Sequence, residues 1–172
     1  MALNALPSPD DKHASVRTMF DRIAPRYDRM NRLLSAGLDQ RWRRAALSAI
    51  DVGAGDRVLD LAAGTGDLAE LAQARGARVV AVDFAGEMLR NARGRGVKAG
   101  LVQADAERLP LRDGSVTAAV CGFALRNFVS LPDIFRNVMV VTIMLRLAFG
   151  TVRTTIRVPV FYAAFYKLRA PA

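Results

Sequence analysis

The chain has 172 residues, 52% hydrophobic and 24% charged, which excludes a disordered segment and fits one domain with a sizeable core. Its net charge is +9 and unevenly placed: residues 1–133 hold 19 basic and 16 acidic residues, while residues 134–172 hold six basic residues and no acid. A single cysteine, Cys121, excludes an intrachain disulfide and fits a reducing, cytoplasmic setting, and the longest apolar run, Val138 to Leu145, is far below the ~20 residues of a spanning helix.

Residues 1–12 read as a flexible polar arm and residues 13–172 as a single domain. From His13 to Ile50 the pattern is helical. Val16, Met19, Phe20 and Ile23 fall at helical spacing, and Pro25 stops that helix. Met30, Leu33 and Leu34 mark a second helix that ends near Gly37. Asp39 reads as the N-cap of a third, carrying Trp42, Ala46, Leu47 and Ile50. A helical preamble of this kind serves as a lid over a site or as a cover for a sheet edge, and periodicity leaves both open.

Beyond it, strands alternate with helices on short connections, which predicts an α/β fold with a mostly parallel sheet and helices on both faces. The expected strands are Arg57 to Leu61, Ala77 to Asp83, Gly96 to Gln103 and Ser115 to Cys121. The expected helices are Asp67 to Ala74 and Ala85 to Arg93. After Asp133 the pattern degrades. The run from Val138 to Leu145 fits a buried fifth strand or an apolar helix, and Phe161, Tyr162, Phe165 and Tyr166 fit an aromatic helix.

Function hangs on the first strand and its exit, Val58-Leu59-Asp60-Leu61-Ala62-Ala63-Gly64-Thr65-Gly66-Asp67. A dinucleotide fingerprint wants a third glycine at position 69, where Ala69 is tolerated, so a nicotinamide cofactor also fits. The acid ahead of the turn, in Asp60-x-Ala62-x-Gly64-x-Gly66, resembles the loop of class I methyltransferases that use S-adenosyl-L-methionine. Gly64 and Gly66 let the backbone lie against a cofactor, and N–H groups at the following helix start, with Thr65, suit its carboxylate. Asp83 ends the second strand, where a carboxylate can accept both ribose hydroxyls. Asp105 follows the third strand beside Ala106, where it can accept from an adenine amino group. Three strand-end features on one edge of a parallel sheet form one crevice. On this reading residues 57–133 are a cofactor-binding core, with residues 13–50 as its lid. Among the described ligand types no metal site has enough ligands, His13 reads as solvated, and Cys121 reads as core.

Tyr27-Asp28-Arg29-Met30-Asn31-Arg32-Leu33-Leu34-Ser35-Ala36-Gly37, followed by Trp42-Arg43, resembles the N-terminal signature of the ubiquinone/menaquinone biosynthesis C-methyltransferases. Gly122-Phe123-Ala124-Leu125-Arg126-Asn127-Phe128 resembles their second signature, and Asp105-Ala106-Glu107-Arg108-Leu109-Pro110 also matches. The resemblance covers roughly residues 15–135. It implies a Rossmann-like methyltransferase fold and methyl transfer to a ring carbon of a prenylated hydroquinone. It implies Arg126, with Asn127, as the holder of a ring phenolate and Asp28 as a proton acceptor. It implies Tyr27, Asn31 and Phe123 as walls of the quinol pocket.

Residues 134–172 depart from the family pattern, since no Gly-Gly precedes Val138 and no acid follows Asp133. That predicts a sheet incomplete at its C-terminal side, with an unpaired edge prone to homodimer formation. It also leaves a cofactor-binding remnant without turnover as the alternative. The basic, aromatic tail predicts peripheral contact with the inner face of a membrane. A nucleic-acid partner is not expected, because residues 1–133 show no interleaving of basic and aromatic residues.

Overall fold

The computed structural model describes residues 9–128 and 130–142, with side chains from Ala14 onward except that of Arg126. At its centre is β1 (Arg57–Leu61), a five-residue strand buried on both faces. Its neighbours are β2 (Arg78–Asp83) on one side and β4 (Ala118–Cys121) on the other, with β3 (Gly100–Gln103) beyond β2. Every pairing is parallel, in the order β3-β2-β1-β4. The chain therefore winds outward through β2 and β3, then crosses back to place β4 against the other edge of β1. That reversal opens a crevice at the carboxyl ends of β1 and β4.

Side-chain alternation along β1 divides the core in two. Val58 packs with Leu47 of α3 (Leu38–Ala49) and with Leu68, Ala69 and Ala72 of α4 (Asp67–Gln73). Leu59 and Leu61 face the other way, onto Ile134, Val138 and Val141 of α6 (Leu131–Val141). Helices thus cover both faces of the sheet, as the run of strand and helix signals predicts. The same alternation turns Asp60 toward the α3 and α4 side, where it is 1% exposed.

The lid comprises α1 (Pro9–Ile23), a 3-10 turn at Ala24–Arg26, α2 (Tyr27–Leu34) and α3. The first helix begins at Pro9, inside the expected arm, because proline suits a first helical position where no N–H bond is needed. Residues 1–8 lie outside the described residues. Asp39 is not an N-cap. Gly37, at φ +76°, takes that position and sends its own N–H to the Arg32 carbonyl (2.9 Å), closing α2. Asp39 instead turns inward, 1% exposed, and accepts from Ser35 Oγ (2.9 Å) and Arg43 Nη1 (3.4 Å).

The later elements are shorter than expected at their starts: β3 begins at Gly100 and β4 at Ala118, while α5 spans Gly86–Gly94. The apolar run from Val138 enters as helix. Ser130 caps α6, its Oγ accepting the Asp133 N–H, and the helix continues through Val141. Thr142 then turns extended and bridges Val116 in the parallel sense, beside the start of β4. Residues 143–172 lie outside the described residues, and so do the expected aromatic helix and the composition of that tail.

Leu47 is fully buried and anchors the lid to the sheet. Leu47→Ala is expected to cost about 2–5 kcal/mol of stability, read as a lower urea midpoint.

Candidate functional site

The exit of β1 is shaped by left-handed backbone. Ala62 (φ +53°), Gly64 (φ +57°) and Gly66 (φ +83°) reverse the chain before α4 begins. Asp83, at the end of β2, fastens this turn. Its Oδ2 accepts the Gly64 N–H at 2.7 Å and its Oδ1 accepts the Ala85 N–H at 2.8 Å. Burial pushes the Asp83 carboxyl above its usual range, and these amide donors offset part of that rise.

The two glycines differ. A Cβ on Gly64 would meet nothing within 4 Å and would project into the cleft that Gly64 lines. A Cβ on Gly66 would stand 3.1 Å from Val97 and 3.4 Å from Ala92, so Gly66 serves helix packing rather than the cleft wall. Close backbone approach to a cofactor therefore concerns Gly64.

The cleft holds about 780 Å³, counted out to its open mouth. Ala62, Gly64, Asp83, Asp105 and Ala106 line it. Asp105 Oδ1 accepts the Glu107 N–H at 2.9 Å, which holds the carboxylate at the mouth of β3. Tyr27, Phe123 and Asn127 also line the cleft, with Phe20, Phe84, Met88 and Phe128 supplying apolar wall. Sequence reasoning missed those four: Phe20 and Met88 sit at helical core-like positions that periodicity cannot tell from packing, and Phe84 and Phe128 lie in connections where no period marks a facing side. Asn31 is half-buried on α2 and is not among the lining residues. Arg126 lies on the 3-10 turn Leu125–Asn127 that follows β4, with only its backbone described.

A second, smaller pocket opens on the other side of the glycine turn, lined by Arg43, Asp60, Thr65 and Asp67 among others. Tyr27, Ala62 and Gly64 line both pockets. Neither oxygen of Asp60 has a hydrogen-bond partner within 3.5 Å among the described residues. Burial pushes its carboxyl up to about 7, and the Arg43 charge and the Ala69 amide offset only part of that rise. A buried carboxylate without a partner is costly unless something meets it. Arg43 is 8% exposed, lies 5.2 Å from the centre of the Phe123 ring, and pairs with Asp39 at 3.4 Å and Asp67 at 3.8 Å. The i, i+4 spacing of Asp39 and Arg43 was the available signal for its inward placement.

The lid is clasped to this turn. Asp28 accepts from Thr65 Oγ1 at 2.5 Å and from Arg95 Nη1 at 2.9 Å. Arg95 also reaches Asp67 at 2.7 Å and Glu70 at 3.0 Å, and Gln40 of α3 donates to Asp67 at 2.9 Å. Asp28 therefore positions the lid and the turn. It is not among the residues that line the cleft, so a part in proton transfer would require this clasp to rearrange. Thr65, likewise, spends its hydroxyl on Asp28. The start of α4 is occupied by the Asp67 carboxylate and its cations, so Arg43 is the group positioned to receive a ligand carboxylate in the pocket. Burial pushes the Cys121 thiol up to about 12.

The model of the ubiE/COQ5 methyltransferase family matches residues 8–168. The chain belongs to this family. The match runs past Asp133, where legible signals fade, and on through most of the basic tail. A demethylmenaquinone methyltransferase from Thermus thermophilus is 50% identical over 116 residues, covering 64% of this chain and 53% of that protein. A ubiquinone/menaquinone biosynthesis C-methyltransferase from a Geobacter species is 44% identical over 129 residues, covering 69% and 54%. The chain thus spans about half the length of the curated relatives it matches. Among solved structures, an S-adenosylmethionine-dependent methyltransferase from Aquifex aeolicus superposes with a TM-score of 0.53 at 19% identity, covering 58% of this chain and 57% of that one. The fold is that of the class I methyltransferases.

The residues present fit S-adenosylmethionine. The unpaired Asp60 oxygens suit its ammonium, Arg43 its carboxylate, Asp83 its ribose hydroxyls, and Asp105 with Ala106 its adenine. The geometry does not favour a nicotinamide dinucleotide, whose pyrophosphate would have to displace Asp67 and its cation partners at the start of α4.

Gly64→Ala and Gly66→Ala are expected to separate binding from stability. Each places a side chain at positive φ, costing about 1–2 kcal/mol. Gly66→Ala adds a clash with Val97 and should lower the Tm further, whereas Gly64→Ala should lose cofactor affinity with the smaller Tm change, by calorimetry and thermal melts.

The Asp60 carboxyl has a second consequence. Its value is raised from 3.8 to about 7 in the fold, so it opposes folding progressively as pH rises through that window and fully above it. The cofactor-free chain should lose Tm across that rise, and Asp60→Asn should flatten the loss. The same variant should bind S-adenosylmethionine about tenfold more weakly or worse, since a charge-assisted bond is removed.

Proposed function

We propose that this chain binds S-adenosylmethionine in the cleft and uses it to methylate a ring carbon of a prenylated hydroquinone. The acceptor on this reading is demethylmenaquinol or its ubiquinol-pathway equivalent. The observation that carries the proposal is the apolar, aromatic wall set directly beside the strand-end acids. Phe20, Tyr27, Phe84, Phe123 and Phe128 face the same space as Asp83 and Asp105, so an adenosyl group and a flat apolar ring can share it. Membership of the ubiE/COQ5 family and the names of the relatives support the same acceptor class.

When bound, S-adenosylmethionine supplies a methyl group made electrophilic by its sulfonium. The protein's own residues do the rest. A ring carbon is a poor nucleophile until a neighbouring hydroxyl ionises. Arg126, on the turn after β4, holds the resulting phenolate, and Asn127 hydrogen-bonds beside it. Arg126 is always protonated, so it stabilises charge rather than removing a proton. As the methyl leaves sulfur for the ring carbon, the C–S bonding pair stays on sulfur, and the proton then lost from the methylated carbon passes to a water held beside Asn127. An anionic ring meeting a cationic sulfonium disperses charge, and a closed, dry cleft favours that step. The lid supplies the closure, with Phe20 and Tyr27 in edge contact at 6.2 Å over the cleft mouth. Holding ring and methyl in line supplies much of the remaining acceleration. The basic stretch after Thr142 lies outside the described residues, and its contact with an anionic surface is part of this proposal only.

Titration calorimetry with S-adenosylmethionine, followed by methyl transfer to a short-chain demethylmenaquinol, tests the reading. Heat of binding together with a methylated ring supports it. Binding without transfer would make the chain a cofactor-binding remnant. Arg126→Ala should lower kcat about a hundredfold, as for loss of one oxyanion donor, with cofactor affinity unchanged. Unchanged turnover would remove the role given to Arg126.

A further inference from the structure

The outer surface of the lid has a composition that neither the core nor the cleft requires. At the junction of α2 and α3, Leu33 is 81% exposed and Leu34 is 80% exposed. Met30, Leu38 and Trp42 are also exposed. Met30, Leu33 and Leu34 stand at i, i+3 and i+4, and so form one stripe along α2. Leu38 and Trp42 stand at i and i+4 on α3. The three-residue turn Ser35–Gly37 joins the helices, which puts both leucines of α2 at the tip of a helical hairpin. Two adjacent leucines left four-fifths in water carry an unfavourable hydration cost that a purely structural lid has no reason to keep.

The charge around this tip has one sign. Between residues 24 and 49, Arg26, Arg29, Arg32, Arg41 and Arg44 are exposed. The only acids of that stretch are Asp28 and Asp39, and both turn inward. Asp28 pairs with Arg95 and Thr65, and Asp39 with Arg43 and Ser35. The clasp that fastens the lid therefore also removes negative charge from its outer face. Exposed leucines and a tryptophan within a field of arginines are the composition of a segment that lies in the interface of an anionic bilayer.

We propose that the α2–α3 hairpin is a membrane-docking surface, with Leu33 and Leu34 entering the acyl boundary of an anionic phospholipid bilayer and the surrounding arginines meeting its headgroups. Its purpose rests on the quinol reading above. Trp42 lies 6.0 Å from the ring of Phe123, and Phe123 lines the cleft. An apolar chain leaving the bilayer at the hairpin tip meets Trp42 and then Phe123 on its way to the site. Docking at this point would admit a prenylated substrate without carrying its tail through water. The occupant is a lipid surface rather than nucleic acid, because unpaired leucines at the tip gain nothing from a phosphate backbone.

Trp42 is the only tryptophan in the chain and reports on the tip directly. The test adds vesicles of phosphatidylcholine with phosphatidylglycerol, or of phosphatidylcholine alone, to the full chain and follows Trp42 emission and co-sedimentation. The expected result is a blue shift and sedimentation with the anionic vesicles, weakened by salt. Leu33→Asp with Leu34→Asp should weaken binding about tenfold or more per leucine. Replacing Arg29, Arg32 or Arg41 by Gln should weaken it about fivefold each, the effect of one basic residue near an anionic surface. The leucine variant should still methylate a short-chain quinol in solution while losing turnover on a long-chain quinol in vesicles.

Three results would overturn the docking surface. The first is no emission change with anionic vesicles. The second is equal vesicle binding by the leucine variant. The third is a drop in its Tm with vesicle binding unaffected, which would mean that another part of the chain covers the leucines. Failure of the quinol reading looks different: vesicle binding that depends on Leu33 and Leu34, with no quinol methylated in solution or in vesicles.

Discussion

Arg95 draws three carboxylates from two separated stretches of chain to one point, and the site depends on that convergence. Asp28 comes from the lid, while Asp67 and Glu70 come from the helix that follows the glycine turn. The guanidinium is about one quarter exposed and the Asp67 carboxylate is nearly buried, so screening by water is partial. An exposed pair of this kind contributes little, but a partly buried network with well-formed bonds contributes more, and breaking it strands the inner carboxylate. Arg43 then touches the same Asp67 from the α3 side. Two cations thus stitch α2, α3 and α4 together around Gly64 and Thr65. The shape of the turn and the position of the lid form one cooperative unit rather than two adjacent features.

This explains which parts of the site were legible in the sequence. Strand ends are legible because an acid after a buried apolar run has few other reasons to be there. Asp83 and Asp105 were found that way, and both line the cleft, whereas Asp60 stood out as the acid ahead of the glycine turn and lines the smaller pocket behind it. Side chains whose role depends on a partner from another segment were not legible. Asp28 entered as a candidate proton acceptor through the family resemblance, and nothing local pointed to Thr65 and Arg95, distant in sequence, as the partners of its oxygens. Asp39 looked like a cap because capping is a local property, but Gly37 had already reversed the chain two residues earlier.

The same limit governs the two glycines and the C-terminal run. Gly64 and Gly66 share a positive φ, and nothing in their spacing separates them. The difference lies in Val97 and Ala92, which approach only Gly66. The run from Val138 to Leu145 satisfied both a buried strand and an apolar helix, because a nearly continuous apolar run has no period. The cap at Ser130 and the proline at the second position of α6 decide for helix, and the switch to an extended Thr142 comes where the chain reaches the start of β4.

A lid that closes on its inner face and stays basic and apolar on its outer face resolves a physical conflict. On the quinol reading the site has to be dry for methyl transfer, and its acceptor is insoluble in water. A lid that simply sealed the cleft would exclude the acceptor along with the water. Here the inward-facing charges, Asp28, Asp39 and Arg43, are all paired within the protein, so the inner face can be dry without uncompensated charge. The outward-facing residues, Leu33, Leu34 and the arginines, are the ones that interior pairing leaves over. Sorting the lid's charges by sign and by face therefore makes closure against water compatible with access from a lipid phase. It also explains why residues 24–49 hold six arginines and only two acids. An arginine on the outer face is free to meet an external anion, whereas an acid there would repel the same surface and would be missing from the clasp that shapes the turn.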